Sequence, residues 1–209
     1  MDLPLGTVLY ESGKALEHVY FPTTAVIALL FSMQDGSSAE IAVVGNEGVV
    51  GIACFMGGES TSSRAVVQCA GQGFRLTAEL MMEEFRRGGP VLRLLLRYTQ
   101  ALLTQMSLTA ACNRHHSSDQ QMCRWLLLSL DHLRVNEYVS TQAQIATMLD
   151  ARREHVSGLA HRSHKSGSFR RAPNHQDLLD RELLGKRTCE CYAVITKEYG
   201  RLLPHRLAT

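Results

Sequence analysis

Residues 141–157, TQAQIATMLDARREHVS, carry the clearest structural pattern of this chain. Thr141 and Gln144 have the spacing of a capping box, which predicts a short helix at this point. Asp150 then marks a turn, and a second helix is expected from Arg152 to about Arg162. Two short helices joined by a tight turn, the second rich in arginine, are typical of a helix-turn-helix.

Two longer helices are expected before this stretch. After Gly88-Gly89-Pro90, apolar residues recur at three- and four-residue steps, which predicts a long amphipathic helix. We expect it to form a two-stranded dimer seam, and packing onto its own domain is the alternative. The expected interface residues are Leu95, Leu96, Leu102, Leu103 and Met106. A second helix is predicted from the capping box Ser118-x-x-Gln121 to near Leu133.

The first third of the chain consists of short β-type runs separated by glycine. The spacing predicts a small antiparallel barrel or sandwich. Asp35-Gly36 lies between two apolar runs and predicts a hairpin, because glycine takes the positive φ that such turns require. The runs are residues 7–10, 19–21, 25–31, 39–44 and 64–69.

Charge divides the chain into two unequal parts. The 209 residues carry a formal net charge of +2. Residues 1–134 hold 10 Lys/Arg against 12 Asp/Glu, whereas residues 135–209 hold 12 against 8. Six of these basic residues lie within 152–171, so a surface facing phosphate is expected there, with an ordinary solvated face as the alternative. Neither a membrane span nor a signal peptide is expected, and the chain is assigned to the cytoplasm.

Three further stretches precede Arg152–Ser157 in a characteristic order: Val19–Pro22, Glu40–Gly48 and Ser63–Gln68. With these stretches the chain resembles the Crp/Fnr family of bacterial transcription regulators. The resemblance implies an α+β fold with an amino-terminal antiparallel, jelly-roll-like β-roll, a long dimerisation helix and a winged helix-turn-helix. The implied domains are an effector-sensing roll (1–88), the dimerisation helix with the following connector helix (89–134), and the DNA-binding domain (135–209).

The resemblance also implies partners and contact residues. A homodimer would place two recognition helices one turn of DNA apart, so double-stranded DNA with a near-palindromic sequence is expected. RNA polymerase and a small-molecule effector are further expected partners. Base contacts are expected from Arg153 and Glu154, because arginine can bind guanine and glutamate can accept from cytosine. Phosphate or base-edge contacts are expected from Thr141, Gln142, Arg152 and Ser157, although Arg152 and Glu154 could instead form a surface pair.

Cyclic AMP is not expected as the effector. Members that bind it place a glutamate soon after a glycine, but here Ile52 follows Gly51. Their Arg-Ser pair is replaced by Ser63-Arg64, and strand alternation would turn this arginine to the other face. Loss of the charged hydrogen bond to ribose costs about 1.5–3 kcal/mol. A pocket for another small molecule is expected around Gly51, Ile52, Ser62, Ser63, Arg64 and Ala65.

No cofactor and no metal site are expected from the sequence. The six cysteines form no CxxC pair, and Cys189-Glu190-Cys191 has no neighbouring His or Cys at ligand spacing. No cysteine precedes Cys54, which disfavours an amino-terminal iron–sulfur cluster, and an isolated His18 gives little support for haem.

Two features depart from the family pattern. Met1 nearly abuts the first expected strand, where the family has a leading helix, so a truncated start is expected. Residues 167–176 show little β alternation and contain Pro173, so an irregular wing is expected. Gly158 weakens the second helix of the helix-turn-helix by about 1 kcal/mol relative to alanine.

The leading hypothesis is a sequence-specific DNA-binding regulator and not an enzyme. The alternative is a ligand-sensing or partner-binding β-roll protein whose DNA-binding domain is degenerate. A cupin-like metal enzyme, whose β pattern overlaps, is disfavoured because no His-x-His occurs between Leu5 and Leu76.

Overall fold

The computed structural model describes residues 1–133, 137–141, 169–171 and 176–203. Two antiparallel sheets form the amino-terminal β-roll. The four-stranded sheet has the order β2-β6-β4-β5, with β2 Val8–Tyr10, β4 Val26–Ser32, β5 Ser38–Val44 and β6 Ser63–Cys69. The three-stranded sheet has the order β1-β7-β3, with β1 Asp2–Leu3, β3 His18–Pro22 and β7 Gly71–Thr77.

The predicted hairpin at Asp35-Gly36 is confirmed. It joins β4 to β5, and the last pair in register is Ser32 with Ser38. Gly36 has φ +84°, and the Asp35 carboxylate accepts hydrogen bonds from the Ser37 amide and hydroxyl at 2.9 and 2.7 Å. The turn therefore supplies both the backbone conformation and the local hydrogen bonds that fix the register.

Five helices are described, two of which the sequence predicts. The predicted long helix is α2, Pro90–His115, and the predicted second helix is α3, Ser118–Leu133. Sequence analysis missed α1 (Ala78–Arg86), α4 (Arg181–Arg187) and α5 (Glu190–Leu202). None of the helices within the described ranges is long and apolar enough to cross a membrane.

The roll does not complete its core alone. Inward-facing residues of the strands, such as Ile27, Val44 and Val67, share one buried cluster with Leu95 and Leu102 of α2. A second cluster joins Leu126 of α3 to the carboxyl-terminal helices through Leu184 of α4 and Ile195 of α5. The last two helices, which lie inside the segment 135–209, thus pack on α3 and α2.

A third sheet lies in the carboxyl-terminal segment. Its order is β8-β10-β9, with β8 Glu137–Thr141, β9 Phe169–Arg171 and β10 Gln176–Asp180, all antiparallel. The sequence predicts little β structure in residues 167–176. This is wrong for Phe169–Arg171, which form β9, and for Gln176, which begins β10. Pro173 falls between β9 and β10 in the chain, so it removes no donor from either strand. The two predicted helices of residues 141–162 lie outside the described residues, except for Thr141.

Candidate functional site

The residues predicted to line an effector pocket lie around the 3₁₀ turn Ile52–Cys54 and the start of β6. Gly51 has φ +102°, a conformation that favours glycine, and precedes the turn. Ile52 packs against the same buried cluster that contains Ala65. Ser63 is buried and its Oγ lies 3.1 Å from Oγ1 of Thr61, whereas Ser62 is exposed.

Arg64 does not share the inward face of β6. Its neighbour Ala65 is fully buried, while the Arg64 side chain is 38% exposed and forms an ion pair with Glu11 at 3.3 Å. Because side chains alternate along a strand, the guanidinium stands on the face opposite to Ala65. It is therefore held by a surface carboxylate and is not available inside the roll.

The five residues predicted for a dimer interface separate into two groups. Leu95 and Leu102 are 6% and 1% exposed within their own chain, and Met106 is partly buried against the same core. Leu95 and Leu102 have little surface left for a partner, so their assignment to the seam is corrected, whereas that of Met106 stays a prediction. The periodicity arises because α2 carries two apolar faces, one of which completes the roll.

The other group remains available for a partner. Leu96 and Leu103 are 52% and 50% exposed and lie seven residues apart. Gln100, Ser107 and Ala110 are exposed on the same helix, and the spacing 96, 100, 103, 107, 110 follows the alternating four and three steps of a heptad. We call this surface the heptad face.

Most residues predicted to read DNA lie outside the described part of the chain: Gln142, Arg152, Arg153, Glu154 and Ser157. Thr141 is the last residue of β8 and pairs in register with Gln176 of β10. The capping role predicted for Thr141 depends on residues outside the described part of the chain and stays a prediction.

The loop after β5 contacts the end of α3 through a buried hydrogen bond between a carboxylate and a histidine. Glu47 Oε2 lies 2.9 Å from Nδ1 of His132, and the two side chains are 8% and 5% exposed. The other carboxylate oxygen accepts from the Gly45 amide at 3.2 Å. Burial alone would raise the pKa of Glu47, but the His132 charge and these hydrogen bonds outweigh it and lower that pKa.

Two glycines permit this contact. A Cβ at Gly45 would lie 2.5 Å from side-chain atoms of His132, and one at Gly48 would lie 2.6 Å from the hydroxyl of Tyr98. Such distances are far below van der Waals contact. The Gly45-Asn46-Glu47-Gly48 segment therefore packs closely against α2 and α3. It belongs to one of the stretches that carry the family resemblance.

A cleft of about 940 Å³ lies between this loop and the helices α2 to α5. Its polar lining includes Tyr98, Gln105, Asp131, His132, Arg181 and Tyr192. Tyr192 donates to Asp131 at 3.0 Å, and Arg181 forms an ion pair with the same carboxylate. Nε2 of His132 is buried without a hydrogen-bond partner among the described residues. The volume lies within the range of small-molecule pockets, and the lining combines polar and apolar side chains.

A second polar contact joins the roll to α3. Trp125 donates its indole N–H to the buried Glu40 carboxylate at 2.9 Å, and the Gln68 amide donates to the same oxygen at 3.3 Å. Burial, and to a smaller extent the negative charge of Glu40, raise the pKa of the nearby Cys69 thiol to about 12. This thiol is therefore protonated and unreactive at neutral pH.

Sequence analysis missed a cluster of three cysteines and one histidine. Cys112 near the end of α2 and His116 just after it meet Cys189 and Cys191 at the start of α5, and their four ligand atoms all lie within 4.8 Å of one another. The expectation that Cys189 and Cys191 lack partners is wrong, because the fold brings Cys112 to Cys189 from 77 residues away. The four-residue step from Cys112 to His116, one helical turn, was the signal available in the sequence.

The order of a β-roll, a long helix and a carboxyl-terminal segment with its own small sheet is the fold of the Crp/Fnr transcriptional regulators. The resemblance inferred from the sequence and the α+β class are confirmed at the level of the fold. No family model matches the sequence, and no curated protein matches it.

Particular solved structures share this fold. A CRP-family transcriptional regulator from Thermus thermophilus has a TM-score of 0.66 at 15% identity, over 99% of this chain and 100% of that one. FixK2 from Bradyrhizobium japonicum has a TM-score of 0.67 at 17% identity, over 90% and 96%. The c-di-GMP responsive global regulator CLP of Xanthomonas campestris has a TM-score of 0.61 at 12% identity, over 86% and 92%.

Proposed function

We propose that this chain is a homodimeric, sequence-specific DNA-binding transcription regulator of the Crp/Fnr type, acting in the cytoplasm, and not an enzyme. The observation that carries the proposal is the heptad face: Leu96 and Leu103 stand exposed on a helix whose other apolar side is already buried. Exposed leucines at heptad spacing are stabilised by pairing with a second helix. The fold shared with known regulators supports the same conclusion.

DNA contact is assigned to the segment between β8 and β9. Arg153 and Glu154 read base edges, and Thr141, Gln142, Arg152 and Ser157 contact phosphates or base edges. The six basic residues within 152–171 support this assignment, because phosphate contacts require positive charge on one surface. Two such surfaces in a two-fold dimer would bind a near-palindromic DNA site. The bound dimer would contact RNA polymerase next to that site.

The signal reaches this segment through the Glu47–His132 contact. His132 is the penultimate residue of α3, and the described chain resumes at Glu137 in the sheet that flanks the DNA-reading segment. A ligand that moved the 45–48 loop would therefore act on the connection between roll and reader. Both the residues around Gly51 and the 940 Å³ cleft are candidate effector sites.

Cyclic AMP is not that ligand. The arginine that would meet a cyclic phosphate, Arg64, is paired with Glu11 on the other face of β6, and Ile52 offers no acceptor for ribose. Calorimetric titration with cyclic AMP should give no binding heat at concentrations where a cyclic-AMP receptor would be saturated. Saturable binding with a stoichiometry of one per chain would overturn this part of the proposal.

The test of function is a gel shift with DNA from the chain's own upstream region, repeated over a salt series. We expect a preferred sequence, and affinity that falls linearly in log K against log salt. Arg153→Ala should weaken the preferred site by about 1–3 kcal/mol and relax its specificity. Arg86→Ala, a change in an exposed arginine of the roll half, is the matched control and should leave binding unchanged.

Binding without any sequence preference would contradict the proposal. That result would support the alternative of a ligand-sensing or partner-binding β-roll protein with a degenerate DNA-binding domain. Gly158 motivates this alternative, because glycine weakens the expected recognition helix.

A further inference from the structure

We propose that Cys112, His116, Cys189 and Cys191 form a closed, tetrahedral site for a single zinc ion that fastens α5 to the end of α2. Cys112, Cys189 and Cys191 are 0%, 3% and 4% exposed, and His116 is half-buried. Three thiolates and one imidazole are a ligand set that structural zinc sites use. The site lies apart from the cleft and from the heptad face.

The spacing of the ligand atoms fits one ion. A tetrahedron with metal–ligand bonds of about 2.0–2.3 Å has edges of roughly 3.3–3.8 Å. Sγ of Cys112 lies 3.5 Å from Sγ of Cys189, and Sγ of Cys191 lies 3.7 Å from Nδ1 of His116. All four atoms lie within 4.8 Å of one another, so small side-chain adjustments bring every edge to the required length.

Other uses of the same residues fit less well. An iron–sulfur cluster places several iron and sulfide atoms between its thiolates, and four ligands within 4.8 Å leave no room for them. A disulfide requires a sulfur–sulfur bond of about 2.05 Å, and all six cysteines are free. A disulfide would also leave the third thiol and the histidine unused.

His116 has the hydrogen-bonding arrangement that is usual for metal-bound histidines, with one ring nitrogen facing the ligands and the other facing a carboxylate. Its Nδ1 lies 3.7 Å from the Cys191 thiol, and its Nε2 lies 3.2 Å from a carboxylate oxygen of Glu190. A carboxylate on the second ring nitrogen fixes the ring orientation and strengthens the ligand. Gln121 adds a further constraint, because its amide donates to the backbone carbonyls of His116 at 2.8 Å and Cys112 at 3.3 Å.

A buried cation compensates the charge of such a centre. Three thiolates with Zn²⁺ and a neutral histidine carry one net negative charge. Arg124 is 2% exposed and lies beside the Cys112 thiol, and it donates to Thr109 Oγ1 at 3.2 Å. Within the described ranges no carboxylate forms an ion pair with Arg124, and its Nε has no hydrogen-bond partner. In the proposed site the zinc-bound thiolates supply an anionic neighbour for this buried arginine.

The first test is the metal content of the full-length chain purified under reducing conditions with zinc. We expect about one zinc per chain in the wild type and in Cys54→Ser, which removes a buried thiol of the roll instead. Cys112→Ser and Cys189→Ser should each hold less than a tenth of that amount, with circular dichroism reporting whether they fold. Co²⁺ added to the metal-free wild type should give the absorption of a tetrahedral thiolate site, a readout that needs no variant.

The second test separates a metal site from a packed thiol cluster. Glu190→Gln should still bind zinc but about 10–100-fold more weakly in competition with a chromophoric chelator. Glu182→Gln, another exposed glutamate early in a carboxyl-terminal helix, should match the wild type. The proposal is overturned if the reduced wild type binds neither Zn²⁺ nor Co²⁺, if Cys189→Ser binds zinc as tightly as the wild type, or if a Cys112–Cys189 disulfide is the stable form.

Discussion

Glu47 is a buried carboxylate held by a buried histidine, and its ionisation makes the stability of the chain depend on pH. Because the folded-state pKa lies below the ordinary value of 4.5, the ionised form stabilises the fold above pH 4.5. That contribution is lost as the pH falls from 4.5 through the lowered folded-state pKa. The same contact joins the 45–48 loop to α3, so under the proposed function stability and signalling would depend on one residue.

Glu47→Gln should lower the free energy of unfolding by about 1.5–3 kcal/mol near pH 6, because a buried charge-assisted hydrogen bond is lost. The deficit relative to the wild type should shrink as the pH falls below 4.5. Urea unfolding at several pH values measures this. Glu17→Gln, at an exposed position, is the control and should follow the wild type. A deficit that is independent of pH would contradict the role given to Glu47 ionisation.

The glycines beside this contact give a prediction about close packing. Gly48→Ala would place a Cβ 2.6 Å from the Tyr98 hydroxyl, so the loop must shift, and we expect a loss of about 1–3 kcal/mol. Gly200→Ala is the matched control, since Gly200 is exposed near the end of α5 and nothing lies within 4 Å of its Cβ position. Thermal unfolding of both variants should show a lower Tm for the first and little change for the second. Equal Tm values would contradict the close approach.

At the scale of elements, α2 shows what periodicity reveals and what it does not. The leucine spacing predicts the helix correctly from Pro90 onward. It does not separate Leu95 and Leu102, which complete the roll, from Leu96 and Leu103, which face outward. A helix with apolar residues on two faces has the same local pattern for both, and only the position of the sheets decides which face is covered.

Charge placed on the heptad face should dissociate the proposed dimer. Leu96→Glu and Leu103→Glu each remove an apolar side chain from the seam, where burying one leucine contributes about 1.5–3 kcal/mol. We expect the dimer dissociation constant to rise more than tenfold in a sedimentation dilution series, with the monomer still folded. Leu80→Glu, at an equally exposed leucine of α1, should remain dimeric. An unchanged dimer in both seam variants would rule out this face as the interface.

Two consecutive residues of the carboxyl-terminal helix α5 differ in burial and so test how this helix packs. Ile195 of α5 is 2% exposed within the second core cluster, and Val194 is 45% exposed. Ile195→Ala should cost about 2–5 kcal/mol, whereas Val194→Ala should stay within about 0.5 kcal/mol of the wild type. Chemical denaturation measures both. Similar stabilities would show that α5 does not pack on the rest of the chain as described.

At the scale of the whole molecule, long-range contacts are what the sequence could not supply. Local signals predict the Asp35-Gly36 turn, α2 and α3, because capping, turn chemistry and periodicity act within a few residues. The missed features join distant segments: β7 with β1 and β3, α5 with α2, and Cys112 with Cys189. Helix α5 lacks a strong cap signal, since Cys189 stands at its N-cap without a side-chain hydrogen bond.

Helices α4 and α5 pack across the expected domain boundary at residue 134. Residues 181–203 continue from the small carboxyl-terminal sheet and return to α2 and α3. Tyr199 and Leu203 even pack against the core cluster of the roll. The 137–180 segment is thus connected to the rest of the chain at both ends, by α3 before it and by α4 and α5 after it.

Selection of binding sites from a random DNA pool tests the central claim most directly. A dimer that pairs through the heptad face and reads DNA with Arg153 and Glu154 should enrich a two-fold-symmetric motif. Its half-sites should be centred about 10–10.5 base pairs, or a multiple of one helical turn, apart. Leu96→Glu should lose this enrichment together with dimerisation. A pool without any enriched sequence, or a single asymmetric half-site bound equally well by Leu96→Glu, would contradict the account.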